Sequence, residues 1–294
     1  MNLSGIFPPI ATPFVMDRVA TSHLAENVRL LMKTGIRGIV ALGSNGESVS
    51  LTKMEKLAVL EHARNAMPDD APLLAGTGGD SLPETIELTN GAFECGANAA
   101  LVFNPVFYRD KMTHQSLVQY FRKLADNSRI PIVLYNVPKY TGYNISAETV
   151  AALAEHPNII GIKSSSENIG HLGEILRVVP ADFSVLIGTG SVLFPALTLG
   201  AIGGVLAIAN VAGAQCVQLQ QWVAEGNWAK ARDLQLQLIP VNKALTATYG
   251  IAGLKVAQEL IGLYGGVPRL PLSPIGETEK AQLRQILQTA GLIS

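Results

Sequence analysis

The stretch from Asn158 to Ser166, NIIGIKSSS, is a short apolar, β-branched run with one lysine in its middle. Lysine is ordinarily a solvated residue, and burying an unpaired charge is costly, so a lysine inside a strand-like run calls for a reason. Seven other runs have the same character: GIFPPIATPF, GIRGIVALGS, PLLAGTG, NAALVFNP, PIVLYNV, FSVLIGT and GGVLAIAN. Each is short, mostly apolar and ends at turn residues, the pattern of a short buried strand. Between them lie amphipathic stretches with helix-start signals, such as Thr52 before KMEKLAVLEHARNAM and Ser81 before LPETIELTNGAFECG. Eight alternating strand and helix units predict a parallel sheet, and eight is the number that closes a (β/α)8 TIM barrel. A doubly wound open sheet is the alternative, but it usually carries a Gly-rich dinucleotide fingerprint after its first strand, and this chain has none. Beyond Gly226 the alternation stops and only helical patterns remain. The expected division is therefore a barrel over residues 1–225 and a C-terminal helical region over 226–294, opening near NWAKARDLQLQLIPVNKAL.

Composition narrows the partners. The 294-residue chain is 48% hydrophobic, enough for a sizeable core, and its 22 basic and 23 acidic residues leave a net charge of -1. No basic stripe suited to nucleic acid or an anionic membrane appears, so neither is an expected partner. Cys95 and Cys216 are far apart and lack a CxxC spacing, which points to core thiols rather than a disulfide framework or a zinc site. The start, MNLSGIFPPI, has neither the basic nor the apolar region of a signal peptide, so a cytoplasmic location is the expectation. Phe183 to Ala224 contains no charged residue. Its glycines, Pro195 and Asn210 divide it into strand-length and short helical pieces rather than one membrane-spanning segment.

If the barrel forms, chemistry belongs at the carboxyl ends of its strands. Alternation along the sixth strand puts Ile160 and Ile162 toward the covering helices and Gly161, Lys163 and Ser165 toward the interior. Lysines such as Lys33, Lys53, Lys56, Lys123 and Lys230 fall on helices or loops where water reaches them, which leaves Lys163 as the lysine out of place. Desolvation disfavours an ammonium and can lower a buried lysine's pKa by roughly 3 to 5 units, releasing a free amine that attacks carbonyls. The functional reading is a Schiff-base lysine; the alternative is a lysine neutralised by a carboxylate inside the barrel. On the fifth strand Tyr135 is a candidate proton carrier, or else an aromatic filler with its hydroxyl at the rim. After the second strand the turn GSNGES, Gly43 to Ser48, can offer backbone N–H groups to a carboxylate, although a tight βα turn often looks similar.

Taken together, GIFPPIATPF, GSNGE, YNVPKYTG, GIKSSS and GAIGGVLAIANV resemble the N-acetylneuraminate lyase and dihydrodipicolinate synthase superfamily of class I pyruvate aldolases, over essentially the whole chain. That resemblance implies that Lys163 forms the imine with pyruvate or another 2-oxo acid and that Tyr135 relays protons. Ser44 would link the tyrosine to solvent or a second tyrosine. Gly43, Ser44 and Asn45 would hold the substrate carboxylate, with Ser165 and the backbone at Val205 lining the same pocket. No cofactor is implied, and the superfamily commonly assembles as dimers of dimers. Two positions depart from the synthases: their loop usually reads GTTGE, and an arginine stands where this chain has Tyr140. With GSNGE, HPNIIGIKSS and YGIAGLK, the chain looks more like the 4-hydroxy-2-oxoglutarate aldolases, which release pyruvate and glyoxylate. The tyrosine that the superfamily contributes across a subunit interface should fall in NPVFYRD, where Phe107 holds the expected position and Tyr108 follows. Neighbours on a strand face opposite ways, so Tyr108 is expected to serve only if that segment bulges. Two rivals remain. A metal-dependent aldolase would need clustered ligands, but His23, His62, His114, His156 and His171 are scattered. A catalytically silent 2-oxo-acid-binding barrel is the other, separable by turnover.

Overall fold

A computed structural model describes residues 1–294. The eight apolar runs form eight parallel strands: β1 (Gly5–Phe7), β2 (Ile39–Ala41), β3 (Leu73–Gly76), β4 (Ala99–Phe103), β5 (Ile132–Asn136), β6 (Ile159–Ser164), β7 (Ser184–Ile187) and β8 (Gly203–Val205). They pair in the continuous order β1, β8, β7, β6, β5, β4, β3, β2. The ring closes between the extension of β1 and β2, where Val40 donates its amide to the Pro8 carbonyl and accepts from Ile10 at 2.9 Å. The fold is a (β/α)8 barrel with helices around it and further helices at its C-terminus.

Alternation along the strands separates two cores. Phe7, Val40, Leu74, Leu101, Val133, Tyr135, Leu186 and Val205 fill the barrel interior. Ile6, Ile39, Ala75, Val102, Leu134 and Val185 face outward into the much larger cluster beneath the helices. Burying each large apolar side chain stabilises the fold by about 1.5–3 kcal/mol. The helices begin where the sequence signals placed them: Thr52 closes a capping box with Glu55 at the start of Lys53–Asn65, and Ser81 caps Leu82–Glu94.

Three features differ from the expectation. Ile160 joins the interior cluster and only Ile162, with Ile159, faces the helices. The register between β5 and β6 slips here, Ile132 opposing Ile159 while Val133 opposes Gly161, so one extra residue is accommodated as a bulge. Beyond the slip, Lys163 opposes Tyr135 and faces inward as alternation requires. Secondly, a short antiparallel hairpin, Phe14–Val15 with Arg18–Val19, follows β1. Its turn residues, Met16 and Asp17, have φ of 47° and 60°, a left-handed turn made without glycine or asparagine. Thirdly, the C-terminal helices Trp228–Lys243 and Gly250–Leu260 are joined by a π-helical turn, Ala244–Thr248, that hangs over the carboxyl end of the barrel. The uncharged run from Phe183 to Ala224 supplies two strands and two short helices, and no helix is long and apolar enough to cross a membrane.

Candidate active site

Lys163 lies one residue before the end of β6 with 3% of its surface exposed. No carboxylate pairs with it; its ammonium sits over the Tyr135 ring, 4.0 Å from the centroid. The ring face therefore takes the place of a carboxylate as the group that holds the lysine nitrogen in the cavity. Room for the lysine depends on Gly188, just beyond β7. A methyl group there would lie 2.9 Å from Lys163 Cε and 2.0 Å from Ser165 Oγ.

Tyr135 closes the inner layer on β5 and approaches Ser44 Oγ through its hydroxyl at 3.2 Å. Burial is the largest influence on its phenol and pushes the pKa up. The Lys163 charge and hydrogen bonds with Ser44, Ser165 and Lys163 outweigh it and hold the phenol below the ordinary tyrosine value. A phenol so biased exchanges protons more readily near neutrality.

The GSNGES turn starts directly after β2. Ser44–Gly46 is a single 3₁₀ turn, closed by Gly46 N–H donating to Gly43 O at 3.0 Å. Asn45 lines the same cavity as Lys163, and its Nδ2 is buried without a hydrogen-bond partner. An unsatisfied buried donor costs about 1–3 kcal/mol, which an incoming carboxylate oxygen would recover. Ser165 hydrogen-bonds weakly to Gly188 O at 3.5 Å and its amide donates to Asn136 O. Val205, fully buried on β8, forms the floor. Lys163, Tyr135, Ser44, Asn45, Ser165 and Val205 thus converge on one cavity of about 310 Å³, with Gly43 buried behind it at the foot of the turn.

Some of the lining is invisible to a reading of barrel strands alone. Leu245, Thr246, Gly250 and Ile251 come from the C-terminal helical region, and Lys139 reaches across to the Thr246 carbonyl at 2.8 Å. Tyr140 stands at the mouth, and no arginine lines the cavity. Arg109 packs on the backbone at Gly142 instead.

Tyr108 does not reach this site within the chain. NPVFYRD is not an extended strand: β4 ends at Phe103, and the Asp80 carboxylate gathers the amides of Val106 and Phe107 at 2.6 and 3.0 Å into an irregular loop. Phe107 and Tyr108 pack edge to face with 79% and 73% of their surfaces exposed. Lys163 is also not the sole buried lysine. Lys255, on the helix Gly250–Leu260, is fully buried and forms an ion pair with Glu47 at 2.7 Å. Burial pushes its ammonium pKa down more strongly than Glu47 pulls it up. The histidines have ordinary structural partners, such as Tyr264 stacked on His23 and the Ile145 carbonyl at His171 Nε2. Cys216 is held inert, its thiol pushed up to about 12 by burial.

Comparisons with known proteins agree with this geometry. A barrel whose sixth strand carries an inward lysine beside a phenol is the scaffold of a pyruvate-dependent class I aldolase, and this chain is an enzyme of that class. The sequence profile of the dihydrodipicolinate synthetase family matches residues 2–290, and the chain belongs to that family. It is 38% identical to a 4-hydroxy-tetrahydrodipicolinate synthase of Methanothrix thermoacetophila, over 96% of this chain and 95% of the relative. Among solved structures it resembles a dihydrodipicolinate synthase from Aquifex aeolicus (TM-score 0.93, 31% identity, 99% of both chains). It also resembles YagE, an E. coli prophage protein of the same family in complex with pyruvate (TM-score 0.94, 33% identity, 99% of this chain and all of that one). The Methanothrix and Aquifex relatives carry the synthase name, whereas the GSNGE and YGIAGLK motifs look more like the hydroxyoxoglutarate aldolases.

Proposed function

We propose that Lys163 forms an imine with the 2-oxo group of pyruvate or of a longer 2-oxo acid, and that the reaction catalysed is cleavage of 4-hydroxy-2-oxoglutarate. The observation carrying the imine is the placement of Lys163 Nζ, buried and without a carboxylate, over the ring of a phenol that itself contacts Ser44. The lysine amine adds to C2 and expels water, giving an iminium. Tyr135 removes the proton of the 4-hydroxyl, the C3–C4 bond breaks, and its electrons flow into the iminium to leave an enamine. Glyoxylate departs with the new carbonyl, C3 takes up a proton, and water hydrolyses the imine to release pyruvate. Ser44, Asn45 and the Gly43 turn hold the carboxylate next to the oxo group.

Tyr140 is the reason for preferring a small acceptor. Synthases place an arginine at that position for the second substrate's carboxylate, and an Arg–carboxylate fork is not reproduced by a phenol. The second reading, condensation of pyruvate with aspartate semialdehyde, is favoured by the names of the relatives. Measuring kcat/KM for both substrates under identical conditions separates the two. The preferred reading expects 4-hydroxy-2-oxoglutarate cleavage to lead by at least about tenfold, roughly the value of one lost charge-assisted contact. Equal or reversed values make the condensation the better assignment, and no turnover of either supports a silent binding protein.

A further inference from the structure

Two residues in the left-handed region bracket the turn that faces Lys163: Leu42, with φ of 61°, and Glu47, with φ of 53°. A leucine in this region is an outlier, and such backbone persists only where its surroundings over-determine it. Three contacts supply that constraint. Gly76 leaves space for the Leu42 carbonyl, which a methyl group would approach to 2.1 Å. Thr12 Oγ1 donates to the Gly46 carbonyl at 2.7 Å. The third comes from outside the strands: Glu47 accepts the Arg269 amide at 2.8 Å and pairs with Lys255 at 2.7 Å, the two side chains being 1% and 0% exposed. Lys255 is fixed in turn by the Val267 carbonyl at 3.3 Å and by the Phe14 ring, 4.4 Å below its ammonium.

A buried ion pair is a poor way to stabilise a fold, because desolvation offsets most of its attraction, but it is a stringent way to fix geometry. This one joins the C-terminal helical region to Glu47, the residue that directly follows the Ser44–Gly46 turn. We infer that the Glu47–Lys255 pair is the positioning device that sets the 2-oxo-acid carboxylate site, so that Lys255 governs substrate binding without touching substrate. The inference rests on the proposed reading that Lys163 forms the imine and the Ser44–Asn45 turn takes the carboxylate. Lys255→Met frees Glu47 to leave the interior and draw the turn with it. The imine lysine, on the far side of the cavity, keeps its place.

The test follows borohydride trapping of pyruvate on the full chain as a function of pyruvate concentration. Lys255→Met is expected to raise the half-saturating concentration by about tenfold or more while the limiting trapping rate stays within about threefold of wild type, the split that marks lost ground-state binding. Removing one charge leaves the other buried and unpaired, so Lys255→Met is paired with the double variant Glu47→Gln/Lys255→Met, which buries no charge and is expected to keep a wild-type melting temperature. The double variant is expected to retain a raised half-saturation, because the tie to the helix is gone although the fold is sound. If it folds and binds pyruvate like wild type, or if either variant lowers the limiting rate with unchanged half-saturation, the positioning role is overturned. Wild type giving no adduct at Lys163 instead overturns the reading on which the inference rests.

Discussion

At the residue scale, the site is set by one lysine, one phenol and the space around them. Tyr135 lies directly beneath the Lys163 nitrogen and hands its hydroxyl to Ser44, so Tyr135→Phe is expected to lower kcat by roughly 10²- to 10⁴-fold, the scale of general acid–base catalysis. Steady-state kinetics checks this; a loss below about threefold would move the proton to water or Ser44. Gly188 acts by absence. A methyl group at that position meets the Lys163 stem, the Ser165 hydroxyl and, at 2.9 Å, the Ser165 Cα, so Gly188→Ala is expected to abolish imine trapping and to lower the melting temperature by a few degrees, roughly the effect of 1–3 kcal/mol of overpacking. An alanine variant that traps pyruvate normally would show that Lys163 has slack that the geometry denies. Lys163 and Tyr135 are legible in the sequence because a charge and a hydroxyl interrupt apolar runs. Gly188 is not, because a glycine after a strand is also how turns end.

Between elements, the barrel is tied to its C-terminal region by side chains as well as by packing. Arg269 reaches Glu55 with both terminal guanidinium nitrogens, at 2.6 and 2.9 Å, and Asp17 with Nε at 2.8 Å, so it joins the hairpin, the first turn of Lys53–Asn65 and the tail. The hydrogen bonds from Arg269 outweigh burial and hold the Glu55 carboxyl down at about 2. A carboxylate whose folded pKa is depressed contributes stability above its unfolded value, and that contribution is lost as pH falls through the window from 4.5 to about 2. With solvent screening discounted, the loss attributable to Glu55 is on the order of 1 kcal/mol. Unfolding melts between pH 6 and 3 are expected to show a shallower decline in Glu55→Gln than in wild type; parallel curves would mean that Glu55 contributes no pH-dependent stability. The strands were legible because most are buried on both faces and read as short, largely apolar runs. The β6 bulge was not, since one inserted isoleucine leaves the composition of the run unchanged. The hairpin carries no sequence signal for a different reason: Met16 and Asp17 take a turn that normally uses asparagine and glycine.

For the whole molecule, the division into a barrel and a helical appendage understates what the tail does. Leu245, Thr246 and Ile251 wall the cavity, and Lys255 meets Glu47 across a wide gap in sequence. A lysine on an amphipathic helix looks solvated until the fold brings its carboxylate to it, so periodicity alone does not mark Lys255 as buried. Phe107 and Tyr108 stand exposed at the surface, outside the cavity. If the partner's Tyr108 completes the proton path, Tyr108→Phe is expected to lower kcat by roughly 10- to 1000-fold with the imine still trapped. A kinetically silent variant removes Tyr108 from the mechanism. All of this depends on covalent chemistry at one amine, and the most direct measurement is incubation with pyruvate and borohydride followed by peptide mass mapping. The expected result is a single reduced adduct on Lys163, absent in Lys163→Ala and undiminished by a chelator. An adduct on Lys255 or another lysine, or none at all, would contradict the account.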